Sequence, residues 1–337
     1  MLRIGLVIFS VLVLFGCSNA ATDQEHYFSG QTMGTTYNVK YVTNDQLDHE
    51  QLKQSVEQRL IEINQLMSTY IDDSELSLFN ISAPNSPYLL SQETAFVVAE
   101  ALRIGALSEG VLDVTVGPLV NLWGFGPTKR PETIPTASQI TQAKRFSGLD
   151  KLQLNGLELT KTVDGLYLDL STIAKGYGVD AISQLLADAK LDNFLVEIGG
   201  EMRVSGTKAN GEAWRIAIEK PVTTERAVQR IISVGNHAVA TSGDYRNYFE
   251  EAGVRYSHLI DPNTGYPIQH KTVSATIVHP SSMTADGLAT AMMVLSPEQA
   301  KALAEKENLA LLLVFKEGDG FIEYQSPAFQ QIVTIIN

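Results

Sequence analysis

Residues Thr284-Ala285-Asp286-Gly287-Leu288-Ala289-Thr290-Ala291 set a carboxylate and a hydroxyl four positions apart where a loop gives way to a helix. That spacing stacks Asp286 and Thr290 on one helical face. Both are hard oxygen donors, and the Met292-Met293-Val294-Leu295 run after them reads as a buried helix body, so the corner suits a small cation such as Mg²⁺. The structural alternative is that Asp286 caps the helix and Thr290 bonds back to its own backbone. A second run, Asp169-Leu170-Ser171-Thr172-Ile173-Ala174-Lys175-Gly176-Tyr177-Gly178, follows a strand and opens a helix. Free backbone N–H groups and Lys175 meet there, an arrangement that attracts an anion such as a pyrophosphate. Otherwise Lys175 opposes the helix dipole and needs an ion pair with Glu197 or Glu201.

Three further stretches add polar groups. Glu197-Ile198-Gly199-Gly200-Glu201 offers a backbone that a ligand can approach closely, or a simple turn. The run from Ala240 to Tyr248 contributes hydroxyls and Arg246, and Ser257-His258-Leu259-Ile260-Asp261-Pro262 brings a histidine to the edge of a turn. An imidazole there is either a proton acceptor or a hydrogen-bonded structural histidine.

The elements that must carry these residues are legible from periodicity. Tyr37, Val39 and Tyr41 alternate with Asn38 and Lys40 as a strand with one wet face. Leu52, Val56, Leu60, Ile63 and Met67 recur at intervals of four and three, the mark of an amphipathic helix. Ser91 is placed to cap a helix running towards Gly110, and the glycines and prolines from there to Pro135 predict an ordered loop. Short strands are predicted over 152–159, 166–170, 194–198, 202–205, 214–219 and 231–234, spaced as in an antiparallel sheet. Helices after Lys175, after Asp286 and after Ser296-Pro297-Glu298-Gln299, a capping-box pattern, would cover one face. The fold class expected is α+β, a mainly antiparallel sheet with helices packed on one face.

With 337 residues, 44% hydrophobic and 19% charged, the chain can bury a sizeable core without staples. The net charge of −13 excludes nucleic acid as a partner. Rossmann and Walker glycine patterns are missing, as are Cys-x-x-Cys and His-Glu-x-x-His spacings. Met1-Leu2-Arg3 followed by the apolar run Ile4 to Phe15 has secretory-signal length and is too short to span a bilayer. It ends in Leu14-Phe15-Gly16-Cys17, which resembles the lipobox of bacterial lipoproteins. Cys17 is the only cysteine, so acylation explains it better than redox chemistry. The expected organisation is a signal peptide over residues 1–16, a lipidated Cys17 with a short tether over 17–26, and one domain over 27–337. The expected location is a bacterial membrane, facing the periplasm. Ser18 stands where an aspartate would favour inner-membrane retention, and the choice between inner and outer membrane stays open.

Read together, these segments resemble the ApbE family of flavin transferases, FAD:protein FMN transferases. The resemblance spans roughly 29–295 and rests on Gln31-Thr32-Met33-Gly34-Thr35, Met67-Ser68-Thr69-Tyr70 with Ser74-Glu75-Leu76-Ser77, Asp113-Val114-Thr115-Val116-Gly117-Pro118-Leu119, and the Trp123-Gly124-Phe125-Gly126 loop. The four runs already named, around Asp169, Glu197, His258 and Asp286, complete it. It implies a T-fold-like form of the α+β layout. It also implies an enzyme that moves the FMN half of FAD, with Mg²⁺, onto a Ser or Thr of a target protein and releases AMP. By that resemblance Met33, Tyr70, Val111, Leu112, Asp113, Asp169, Lys175 and Ile260 line the FAD site. Thr172, Asp286, Ala289 and Thr290 surround the metal, Thr172 and Ala289 through backbone carbonyls, and His258 deprotonates or orients the acceptor hydroxyl. The acceptor implied is a periplasm-facing electron-transport subunit. Two rival readings use the same site: an FAD diphosphatase giving FMN and AMP, and a non-catalytic FAD-binding lipoprotein.

Overall fold

The structure, a computed structural model, describes residues 23–44, 47–126, 133–220, 228–244, 248–251, 253–318 and 320–336. The leader, Cys17 and Arg246 lie outside the described residues. Among those described, eight strands form one antiparallel sheet in the order Gln24–Thr32, Thr35–Thr43, Phe194–Ile198, Glu201–Ser205, Ala238–Gly243, Thr272–His279, Ala310–Glu317 and Gly320–Gln325. Thr272–His279 lies well inside this sheet and is buried on both faces, so its Thr-Val-Ser-Ala-Thr-Ile-Val sequence needs no alternation. Thr241 and Thr276, paired across it, bond to each other through their hydroxyls at 2.9 Å.

One face carries the main helices. Ser282–Val294 is buried at every residue except Thr290 and lies on the sheet beside Ala174–Asp188 and Gln92–Leu107. A helix apolar on all sides has to be enclosed in this way. Close approach is possible because Gly176 and Gly287 present no side chain: a Cβ on Gly176 would stand 2.3 Å from the Ser282 carbonyl oxygen, and one on Gly287 would stand 2.8 Å from Ile104 Cδ1. The predicted His49–Met67 helix buries Leu52, Val56, Leu60, Ile63 and Met67 as its periodicity requires. Ser91 and Ser296 cap their helices, the latter in a complete capping box. The opposite face of the sheet is covered as well, by a three-stranded sheet of Ile216–Glu219, Val228–Ser233 and Thr334–Ile335 and the short Pro327–Ile332 helix, around Trp214, Ile232 and Phe329.

Four sequence expectations change. Residues 152–159 are not one strand: Leu152–Asn155 and Glu158–Lys161 form a hairpin turned at Gly156, whose positive φ breaks the run, in a small sheet apart from the main one. Residues 166–170 join no ladder, because the Asn80 side chain takes both the N–H and the carbonyl of Leu168 (2.7 and 2.9 Å) while Asp169 N–H bonds to Val114 O. The glycine-rich stretch after Gly110 contains a short helix, Gly117–Leu122, started by Pro118. Finally, the helix bearing Asp286 begins at Ser282, with Ser281 as its cap, so Asp286 sits inside the helix body rather than at its mouth.

Candidate active site

A cleft of about 420 Å³ opens where the helical layer meets the Gly117–Leu122 segment and the loop after Ser257. Tyr70, Val111, Leu112, Asp113, Asp169, Thr172, Lys175, His258, Ile260, Asp286 and Thr290 all line it. The other two expected site residues stand back from its wall. Met33 sits at positive φ in the turn between the first two strands, beside Gly178, and Ala289 is fully buried within the Ser282–Val294 helix.

The helical wall holds the charges. Asp286 is 3% exposed, and its Oδ2 accepts the Gly176 N–H at 3.0 Å. Lys175 Nζ lies 3.1 Å from Glu201 Oε1 and 3.6 Å from Asp286 Oδ1. Burial raises both carboxyls, opposed in each case by the Lys175 charge; for Glu201 the negative charge of Asp286 adds to the rise. The ammonium is held strongly protonated: burial opposes its charge, and Asp286 and Glu201 outweigh that. Of the two partners expected for Lys175, it is Glu201 that pairs; Glu197 instead accepts from Gly200 N–H and from the Asn38 amide. Thr290 Oγ1 lies 3.2 Å from Ser242 Oγ, and Thr172 Oγ1 is buried without a hydrogen-bond partner.

Asp113 and Asp169 hold the neighbouring loops. Asp113 Oδ1 accepts both the N–H and the hydroxyl of Thr115, at 2.7 and 2.5 Å, while the Thr115 hydroxyl oxygen accepts Gly148 N–H. Burial pushes the Asp113 carboxyl up despite these bonds. Asp169 Oδ1 accepts Ser171 N–H at 2.9 Å, an Asx turn that shapes the approach to Thr172. Tyr70 is 78% exposed at the cleft wall, an aromatic face open for stacking.

The facing wall is aromatic. His258 follows the ribbon Tyr248–Glu251 and Val254–Ser257 and meets the Phe125 ring edge-on at 6.3 Å. Phe125 stacks on Phe249, Phe249 on Tyr256 and Tyr256 on Trp123, with centroids 5.1–5.5 Å apart. Trp123 is pinned by its indole N–H on Gly265 O. Burial raises the Asp244 carboxyl, opposed by the charges of Arg255 and His258.

The ApbE family model matches residues 33–313. The chain belongs to the ApbE family. An FAD:protein FMN transferase of Vibrio cholerae is 49% identical over 326 residues, covering 96% of this chain and 97% of that protein. The Haemophilus influenzae protein of the same description is 48% identical and covers 90% of each. Among solved structures, the flavin transferase ApbE of Vibrio cholerae superposes with a TM-score of 0.86 at 48% identity, over 92% of this chain and 99% of that one. Pseudomonas stutzeri flavinyl transferase ApbE in its apo form gives 0.85 at 41% identity, over 92% and 97%. As an ApbE-family protein the chain is an enzyme, a transferase.

One contributor to this ApbE site escaped the sequence reading. Asp180, on the Ala174–Asp188 helix, accepts from the Ser281 hydroxyl and from the backbone N–H groups of Ser282 and Met283, while Arg203 pairs with it at 2.7 Å. It fixes the start of the helix that carries Asp286. Its signal was a carboxylate five residues beyond Lys175 on a helix otherwise apolar at Tyr177, Val179 and Ile182. Glu201 was noted only as a possible ion-pair partner, and nothing in its spacing announces that it shares Lys175 with Asp286.

Proposed function

We propose that this enzyme transfers the FMN half of FAD to a Ser or Thr hydroxyl of a target protein with the help of Mg²⁺, releasing AMP. The observation that carries the reading is one cleft lined at once by the buried Asp286, by Thr290 and Thr172 and by His258. The family relatives named for this reaction support it.

The residues present fit a hard cation. Asp286 is a buried carboxylate on a rigid helix, and Thr172 Oγ1 is a buried hydroxyl lacking a partner. One buried carboxylate beside hydroxyls suits Mg²⁺, which takes one or two carboxylates and completes its shell with water and phosphate. Asp286 and Thr290, with Thr172 and the Ala289 carbonyl, would hold it. When bound, Mg²⁺ supplies charge neutralisation for the pyrophosphate and for departing AMP.

The chain's own residues do the remaining work. The acceptor oxygen forms a bond to the FMN-side phosphorus as the phosphoanhydride bond to AMP breaks, and His258 takes the hydroxyl proton. Tyr70 and Ile260 give the flavin apolar surface. Asp113 and Asp169, whose carboxylates already brace their loops, fix the cleft outline and so the position of the phosphorus.

The acceptor we propose is a periplasm-facing electron-transport subunit, reached from a membrane on which residues 1–16 have been removed and Cys17 carries lipid. Palmitate labelling that survives in a Cys17→Ser variant would remove the anchor from this reading. For the reaction itself, FAD, Mg²⁺ and a candidate acceptor are incubated with the enzyme. The expected result is a mass gain of one FMN group on one Ser or Thr, abolished in Asp286→Ala. Fast release of FMN and AMP without acceptor, and no labelled protein with it, would replace transfer by hydrolysis.

A further inference from the structure

Lys175 is an unusual neighbour for a cation site. Its stem passes the Gly199–Gly200 turn, where a side chain on Gly199 would come within 3.3 Å of Lys175 Cδ, and its ammonium ends between Glu201 and Asp286. It therefore occupies the carboxylate that the proposed cation needs. Both carboxylates are buried, at 6% and 3% exposure, and neither could stay ionised beside the other without a counter-charge. The sharing is unequal: Glu201 is closer, and Glu201 Oε2 is buried with no partner, an acceptor still free for an ammonium that has three protons to donate.

We propose that Lys175 is a built-in counter-ion that competes with the divalent cation for Asp286, and that Glu201 is the seat to which the lysine withdraws when the cation binds. The inference rests on the Mg²⁺ reading above and adds to it a device for that site. The ammonium offsets the two buried carboxyls, so the corner keeps its shape without metal. A dication that displaces the ammonium from Asp286 adds positive charge to the corner, matched to an incoming pyrophosphate. Lys175 and Glu201 are positioning residues here; they set how tightly the cation is held and couple its binding to the arrival of the dinucleotide.

The test is Mn²⁺ binding, followed by the loss of the free-ion electron spin resonance signal, on the whole mature chain, alone and with ADP in place of FAD. Lys175→Met should bind Mn²⁺ at least about tenfold more tightly than wild type, and Glu201→Gln more weakly, because the lysine is then left to Asp286 alone. The gain from Lys175→Met should be larger in the Glu201→Gln background than in the wild-type one. Simple through-space repulsion would give equal gains in both, and that equality would overturn the proposal. The double variant also keeps the test open if Lys175→Met alone folds poorly. A crystal structure with Mn²⁺ should show Nζ on Glu201 and away from Asp286; an ammonium still bonded to Asp286 would sink the idea. Asp286→Asn separates the two levels. If it binds Mn²⁺ as wild type does, the metal reading itself fails; if binding is lost there but Lys175→Met weakens rather than tightens it, only the counter-ion proposal falls.

Discussion

The two walls of the cleft are held by opposite means. Asp286 belongs to a helix enclosed on all sides, braced by the Gly176 N–H, by the Asp180 cap at its start and by a shared lysine. His258 is half-buried and hangs after a two-stranded ribbon that, among the described residues, joins no other strand and is tied to the rest by ring stacking and by Arg255 on Asp244. Charge neutralisation needs groups fixed in advance and shielded from water, since reorganisation would cancel their benefit. A proton acceptor that must meet another protein's hydroxyl and then return its proton to solvent needs access instead. The difference in construction is the one that the proposed division of roles between Asp286 and His258 calls for.

The comparison breaks most visibly at Gly176. On propensity alone, Gly176→Ala in a helix should stabilise by about 1 kcal/mol. Its new Cβ would meet the Ser282 carbonyl oxygen at 2.3 Å and Asp286 Cβ at 2.8 Å, and a backbone atom cannot swing aside, so the clash wins. We expect flavin transfer, read as FMN-labelled acceptor by mass spectrometry, to fall at least about a hundredfold, with a lower Tm. Wild-type turnover in that variant would show that the helical wall tolerates displacement. On the other wall, His258→Ala should cost about 10²–10⁴ in kcat while leaving Tm where it was. A matching fall in Tm would mean that the histidine is part of the scaffold. Phe125→Leu is milder: it removes the ring edge against His258 and the stack on Phe249, and should lower kcat roughly tenfold, on the order of 1 kcal/mol for a lost aromatic contact. An unchanged kcat would show that the ribbon holds His258 without that ring.

How far the sequence reveals each wall follows from the range of the interactions that build it. The Asp286–Thr290 spacing, the Lys175 helix start and the Ser91 and Ser296 caps are local, and all appear where they were expected. The antiparallel layout is legible for the same reason, through alternation and turn residues. Non-local choices are not. Nothing in Asp180 reveals that it caps a helix a hundred residues later, and nothing in Leu166–Leu170 reveals that Asn80 replaces a strand partner. Lys175 is the sharpest case. Its helix-start position raises the need for an anion, but a ligand phosphate and a protein carboxylate satisfy that need alike, and only the packed structure shows two carboxylates already there.

Acid separates the two walls by a different measurement. His279 and His270 stand at the two ends of the Asp286 helix. His270 Nδ1 accepts Thr272 N–H at 3.3 Å while its Nε2 lies 3.4 Å from Val294 O, so this ring carries its proton on Nε2; His279 Nδ1 lies within reach of both the N–H and the carbonyl oxygen of Ser281, at 3.0 and 3.2 Å. Burial holds both below the ordinary histidine value of 6.5. Here the unfolded chain binds protons that the folded chain refuses. Their contribution is therefore fully present above that value and is lost as pH falls below it. Calorimetry should show Tm declining by a few degrees from pH 7 to pH 5, with a shallower slope in His270→Asn. On the other wall, His258→Gln should lower kcat across the same range while leaving the Tm slope as it is in wild type. If one substitution moved both curves, the two walls would be a single cooperative unit, and the division of labour between them would have to be abandoned.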